Sequence, residues 1–599
     1  MSFTTTSLRS QFEQVQQLHR SGQTAVADML ARQIVAAVPA SVEDLYCQAS
    51  ILLGWNRPGD ALKRFDEARA RARVPPELLV DRAVALNALD RSEEAIESCR
   101  AALDLQRRFA PAYLIWGESL AALGRHDEAL EQYRSALKAD ANFTPARSNR
   151  AALLMALSRT EEALADLQRL AREFPNDAGL HCRHGLALAE LLRFDEALAA
   201  FDKGLALTPR DAGLHHNRGV TLWNLERYAQ AMESYDKALA LNPGLFVTMS
   251  NRANTLQELL RLDEAMAAHD RVVANWPDYV SGHWNRAQGR MLQGAWSEGL
   301  KEFQWRKQRP EMKNEYLPGP EWTGTEDLNG KTLLIRAEMG LGDTIQFARY
   351  AALAKARGAK VVLAVQAPLM RLMSESLVPP VDAVVEKYAD PLPPFDFHIA
   401  SMSLPLAFGT TTENAPNRVP YLKADPARVA AWKERIGDYG FRIGICWRGG
   451  AAGSDMGRTF PPSLLAPIAA LPGVRLISLQ KGKGEAQLTS LPPGMAVETL
   501  GDDFDAGPDA FLDTIAVMEA CDLVISCDTS IAHLAGALAR PLWMATKKVP
   551  EWRWLLGRSD SVWYPTARLF RQHAMGQWSG AFAEMKNELK QLLAKQDRP

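Results

Sequence analysis

Alanine returns every 34 residues in this 599-residue chain, at Ala27, Ala61, Ala95, Ala129, Ala163, Ala197, Ala231 and Ala265. Each opens an amphipathic stretch with helical spacing, as in EEALADLQRL and DEALAAFDKGL, and Pro39, Pro175, Pro209, Pro243 and Pro277 follow twelve residues later. Twelve residues before the alanines stand Ala49, Ala83, Gly117, Ala151, Gly185, Gly219 and Ala253. Small residues at both places let two helices approach closely, and proline ends the second on schedule. A unit this short cannot bury its own apolar face, so it must stack on its neighbours. The pattern predicts an α-solenoid of about eight helix pairs over residues 1–312, with a degraded ninth near Gly299.

These features resemble the tetratricopeptide (TPR) repeat, whose superhelix holds a peptide or protein. Asn149, Asn217, Asn251 and Asn285 share one repeat position, within SNRAA, HNRGV, SNRAN and WNRAQ. An amide can donate to and accept from a peptide group, so they are candidate acceptor-binding residues. An asparagine ladder of this kind is a feature of the TPR arm of O-linked N-acetylglucosamine transferases. The alternative is that these side chains bridge neighbouring helices. Arg183 interrupts the series, and earlier repeats carry Cys47, Asp81 and Ile115 there, so a peptide groove is expected in the later repeats.

The register stops near residue 310, where QRPEMKNEYLPGPEWTGTEDLNGK gathers proline, glycine and charge. Strand-like runs then alternate with helical ones: TLLIRA, DTIQFARYAALAKARG, KVVLAV and PLMRLMSESL over residues 313–420. FRIGICW, RLISLQ, FLDTIAVMEAC, DLVISC, SIAHLAGALA and PLWMA follow over residues 421–599. Such alternation predicts an α/β region of two Rossmann-like halves with parallel sheets, facing across a cleft. Ligands bind beyond the carboxyl ends of such strands.

Four strand ends carry chemistry. EMGLGD brings Gly340, Gly342 and Asp343 to a turn that leads a helix, where Asp343 is either a helix cap or a base. In VISCDTSIAHLAG, Asp528, Thr529 and Ser530 stand at a helix N-terminus with His533 one turn on, a site suited to an anion. ICWRGG and SDMGRTF supply Arg448 and Arg458, and SLQKGKG supplies Gln480 and Lys481. Cations and a helix N-terminus together suit a nucleotide phosphate leaving group.

The run from GLGDTIQFARY through WRGG, RTFPP, SLQKG and DTSIAHLAGAL to WRWLLGRSDSVWYPTARLFRQ resembles GT-B glycosyltransferases related to the ADP-heptose transferases. It also resembles bacterial fusions of TPR repeats to such a domain, some of which glycosylate flagellin. The resemblance implies a metal-independent, inverting transfer with Asp343 as general base. It implies donor contacts from Gly340, Gly342, Arg448, Arg458, Gln480, Lys481, Asp528, Thr529, Ser530 and His533, and no cofactor beyond the nucleotide sugar. CMP-pseudaminic acid, UDP-N-acetylglucosamine and ADP-heptose are the candidate donors, and flagellin is the candidate acceptor protein. A catalytically silent TPR scaffold and a lipid or saccharide glycosyltransferase are the alternatives.

Composition removes other classes. Net charge is −2 with lysine and arginine spread along the chain, so no basic stripe collects nucleic acid. No long apolar run or leader is readable, which predicts a cytoplasmic protein without a membrane partner. The six cysteines form no CxxC pair, and no zinc site is readable. Asp503-Phe504-Asp505 in GDDFDAG imitates a DxD metal motif but reads as a solvated loop. Trp554 reads as core, and Trp552 is left open between packing and stacking on a ligand.

Overall fold

The computed structural model describes residues 7–315, 317–450 and 457–596. The chain forms two compact units, one ending at Asn217 and the other beginning at Arg218. Among the described residues no helix is long and apolar enough to cross a membrane.

Helical hairpins run from Leu8–Arg20 to Trp296–Glu302, nine pairs among the described residues, the ninth ending in a short second helix. The small residues act as expected. In the first unit a methyl group on Gly117 would lie 2.5 Å from Tyr133, and one on Gly185 would lie 2.6 Å from Phe201. In the second unit Gly219 stands against Tyr235 in the same way, at 2.5 Å. The ring sixteen residues on thus fills the space that the absent side chain leaves. The turn inside each hairpin needs a left-handed residue, and Asn56, Asp90, Ser158, Leu192, Glu226 and Leu260 take it with φ between 56° and 61°. A further device repeats in the later hairpins: His181, His215 and His283 each bond the carbonyl of the proline six residues earlier, at 2.8, 2.9 and 2.8 Å.

The second unit also contains both sheets. In the first, β1 (Thr332–Arg336), β2 (Lys360–Val365), β3 (Ala383–Glu386) and β4 (Phe397–Ala400) run parallel in the order β3-β2-β1-β4. The second comprises β5 (Phe441–Cys446), β6 (Val474–Ser478), β7 (Leu523–Ser526), β8 (Leu542–Thr546) and β9 (Ala567–Arg571), also parallel, in the order β6-β5-β7-β8-β9. Strands β3, β4 and β9 were not among the runs expected from the sequence. β3 and β4 have four residues each, too few for their patterning to stand out.

The last repeats are built into this unit. Arg306, just past the ninth hairpin, is fully buried and donates from Nη2 to Glu338 Oε2 at 2.7 Å and to Ser403 Oγ at 2.8 Å. Trp296 of the ninth hairpin stacks on Trp563 with centroids 5.2 Å apart and meets Trp552 edge-on at 5.5 Å. Glu258 of the eighth pairs with Lys547, which follows β8, at 3.3 Å. Arg349 joins the two sheets by donating to the carbonyls of Pro416 and Trp563, each at 2.8 Å.

Two stability effects follow. Arg306→Met leaves the Glu338 carboxylate buried without its cation, and unfolding stability should fall by about 3–5 kcal/mol. Adding Glu338→Gln should recover much of that loss in denaturant titrations. His269 stands fully buried at the ring position that Tyr235 holds one repeat earlier, and neither ring nitrogen has a hydrogen-bond partner among the described residues. Burial, then the Arg286 charge, pushes the imidazole down to about 4, against Asp270 and Glu302. Because the unfolded state binds the proton first, this stability is present above about pH 6.5 and is lost as pH falls toward 4, by on the order of 3 kcal/mol. His269→Phe should flatten that acid limb in unfolding curves measured from pH 7 to pH 4.

Candidate active site

β1 ends in Arg336, and the chain turns through Met339 into the helix Leu341–Phe347. Gly340, not Asp343, is the N-cap of that helix; Asp343 stands third in it and its Oδ2 reaches back to accept from the backbone N–H of Gly340 at 2.9 Å. Its other oxygen, Oδ1, is paired with Arg553. Gly342 lies against the second sheet's helix Ser530–Ala537: a methyl group there would come within 3.0 Å of His533 Cδ2 and 3.4 Å of Ser530 Oγ. The two motifs, over 180 residues apart in sequence, therefore touch. Glycine is needed at 342 for that approach rather than for an unusual φ.

Arg553 organises the charges. It is buried, bonds Glu551 at 2.5 Å as well as Asp343, and has its ionisation reinforced by Glu551, Asp343 and Asp528 against the burial penalty. Burial pushes the carboxyls of Asp528 and Glu551 up, opposed in Asp528 by Arg458 and Arg553. His533 stacks on Trp554, meets Tyr564 Oη through Nδ1 at 2.9 Å, and is held well below its ordinary value by burial and then by Arg553, Arg349 and Arg458. The imidazole is thus neutral at physiological pH, so any part it takes at a phosphate is as a hydrogen-bonding group rather than a cation.

A cleft of about 520 Å³ opens beside these groups. Asp343, Arg458 and Arg553 line one side with Met339, Met402 and Lys547, which pairs with Glu258 of the repeats. The opposite contribution comes from the repeats: Trp223, Asn254, Gln257, Trp284, Asn285 and Gln288. Asn285 of the expected ladder therefore reaches the cleft that holds Asp343.

Thr529 stands at the N-cap position of its helix without a side-chain capping bond, its Oγ1 lying 3.3 Å from Ser526 Oγ. Gln480 is buried, and its Oε1 accepts from the backbone N–H groups of Arg448 at 3.0 Å and Trp447 at 3.3 Å, so it braces the end of β5. The Arg448 side chain is half-buried, and Lys481 is exposed with its ammonium over the Phe504 ring at 5.7 Å. Three ladder amides bridge to the preceding repeat: Asn149 to Glu118 at 2.8 Å, Asn217 to Cys182 at 3.6 Å and Asn285 to Ser250 at 3.0 Å. Asn251 is half-buried.

GDDFDAG departs from the solvated loop expected of it. Asp503 is exposed and pairs with Arg435, but Phe504 is buried and Asp505 accepts from the N–H of Asp513 at 2.8 Å, tying the loop to the start of the helix Leu512–Ala520. Burying the ring and capping that helix outweigh solvation of the loop. Trp554 is core as expected, and Trp552 is also buried while edging the cleft. Sequence reasoning passed over Arg553, between those two tryptophans, because nothing local distinguishes a cation whose partners lie elsewhere in the chain.

The tetratricopeptide-repeat family model matches residues 47–112, 116–178 and 182–245. Protein FlbA of Caulobacter vibrioides is 31% identical over 301 residues, covering 46% of this chain and 49% of FlbA, so the match spans about half the length of each. Among solved structures, YrrB, described as a TPR protein with an unusual peptide-binding site, matches 31% of this chain and 95% of its own at 26% identity, with a TM-score of 0.29. The C-terminal part of a TPR repeat-containing protein from Cytophaga hutchinsonii matches 40% of this chain and 98% of its own at 16% identity, with a TM-score of 0.36. The family match and the nine hairpins identify the N-terminal part of the chain as an array of tetratricopeptide repeats.

Proposed function

We propose that this protein transfers a sugar from a nucleotide sugar to a serine or threonine hydroxyl of an acceptor protein, its two parallel sheets forming a GT-B transferase and its repeats selecting the acceptor. The observation that carries the reading is the packing of the helix that bears Asp343, at Gly342, on Ser530 and His533 of the helix Ser530–Ala537, with Asp343 and Arg458 lining one cleft. A hydroxyl is a poor nucleophile near neutral pH, and a carboxylate that takes its proton as the new bond forms lowers the barrier. The leaving phosphate gathers charge at the same moment, which a helix N-terminus and Arg458 would stabilise. Asp343 is oriented for such a role by Gly340 N–H and Arg553. The amides and indoles of the repeats, with Asn285 among them, offer hydrogen bonds and flat apolar surface to an acceptor peptide entering from that side.

A second reading, a TPR scaffold that binds without turnover, is favoured by one feature: Asp343 Oδ1 is already engaged by the Arg553 guanidinium, so an incoming hydroxyl must compete with it for the carboxylate. Transfer assays separate the two. The full chain incubated with flagellin and, in turn, CMP-pseudaminic acid, UDP-N-acetylglucosamine or ADP-heptose should add one sugar mass or its multiples to flagellin in intact mass spectra. No adduct with any donor removes flagellin or these donors from the reading. Where transfer is seen, Asp343→Asn should keep the fold and the bond from Gly340 N–H yet lose rate by roughly two or more orders of magnitude. Normal turnover by that variant would leave Asp343 a helix cap.

A further inference from the structure

Arginines of the second sheet region are compensated almost as a rule. Arg428 pairs with Asp513, Arg442 with Asp522, Arg475 with Glu498, Arg540 with Glu519 and Arg568 with Glu588. Arg571, the last residue of β9, departs from this pattern. It is half-buried and has no carboxylate partner among the described residues. Its Nη2 donates to the carbonyls of Leu555 at 3.0 Å and Arg558 at 3.4 Å, while Nη1 has no hydrogen-bond partner among the described residues. Carbonyls orient a guanidinium but leave its charge uncancelled, and partial burial makes that costly.

A second cation stands beside it. Arg571 and Lys548 both line a pocket of about 530 Å³. Lys548 donates from Nζ to the carbonyl of His573 at 2.9 Å and likewise has no carboxylate partner among the described residues. The carboxylate on the pocket wall, Glu584, is taken by His573 at 2.7 Å, and Arg558 is satisfied by Asp560. Gln572 shapes the floor by accepting from the Lys548 N–H at 3.1 Å. Two uncompensated cations therefore share one cavity at the carboxyl ends of β8 and β9, where parallel sheets receive their ligands.

We propose that this pocket is an oxyanion site, separate from the cleft, that takes the phosphate or carboxylate group of a small molecule between Lys548 and Arg571. The pocket is well placed to influence the cleft. Lys547, one residue before Lys548, faces the cleft through its pair with Glu258, and the Leu555–Ser559 segment held by Arg571 follows directly on Arg553. The inference is independent of the transfer reading, since it concerns other residues and asks for no turnover.

Inorganic phosphate is the probe, added to the full chain at constant ionic strength set with potassium chloride, with thermal unfolding and calorimetry as readouts. Phosphate should raise the melting temperature where chloride does not, and Lys548→Ala and Arg571→Gln should each weaken its binding about tenfold, as expected for loss of one charge-assisted contact. If Arg571→Gln does not fold, Lys548→Ala decides alone. Acetate in a parallel series separates the sources: a response to phosphate alone assigns a phosphate group, and a response to both admits carboxylates. No phosphate response, an unchanged affinity in Lys548→Ala, or a response abolished instead by Arg458→Ala on the cleft would overturn the proposal.

Discussion

Glu338 lies buried at the end of the first strand of the α/β region, two residues before the turn that carries Asp343. Arg306 reaches it from the end of the repeat array, the backbone N–H of Met402 also donates to it, and Ser403 Oγ accepts a second bond from the same Arg306 nitrogen. A pair of this kind adds little net stability, but neither partner tolerates separation. The joint between repeat and sheet is therefore held in one geometry, and the position of the Asp343 turn relative to the eighth and ninth hairpins follows from it. The tryptophan contacts of Trp296 with Trp552 and Trp563 close the same joint with apolar area.

This joint changes what the repeats are for. An arm tethered by a linker would recruit a partner and leave the chemistry to a separate domain. Here the hairpins beyond Arg218 supply a wall of the cleft itself, and Glu258 from one of them neutralises Lys547 from the other side. The asparagines that seemed free to read a peptide are in three cases occupied with the neighbouring repeat, so they first set the spacing of the array. Within the cleft the electrostatics centre on Arg553. One buried guanidinium serves Asp343 and Glu551 together and also favours the charged form of Asp528, so three carboxylates can stand close by at a cost that a single one could not balance.

How far the sequence could be read depended on how far each signal acts along the chain. The 34-residue period, the small residues opposite Tyr133, Phe201 and Tyr235, and the proline stops are contacts within one hairpin or between adjacent ones, so about eight hairpins and a degraded ninth were visible from spacing alone. Long apolar strands such as β2 and β5 announced a parallel α/β region, and the glycines of GLGD and the small polar residues of CDTS marked strand ends. The four-residue strands β3 and β4 carried too few residues to show a period, and GDDFDAG hid a buried ring and a helix cap inside an acidic composition.

The sequence by itself determined the repeat architecture, the alternation of strand and helix that follows it, and which strand ends carry chemically able residues, because each depends on neighbours within a few tens of residues. Only the tertiary structure decided that Gly342 packs on His533, that Arg553 is the counter-charge of Asp343, that Asn285 reaches the same cleft and that Arg571 has no carboxylate partner among the described residues. Those facts depend on where charges and cavities fall once distant segments pack, and burial, not spacing, sets their energies.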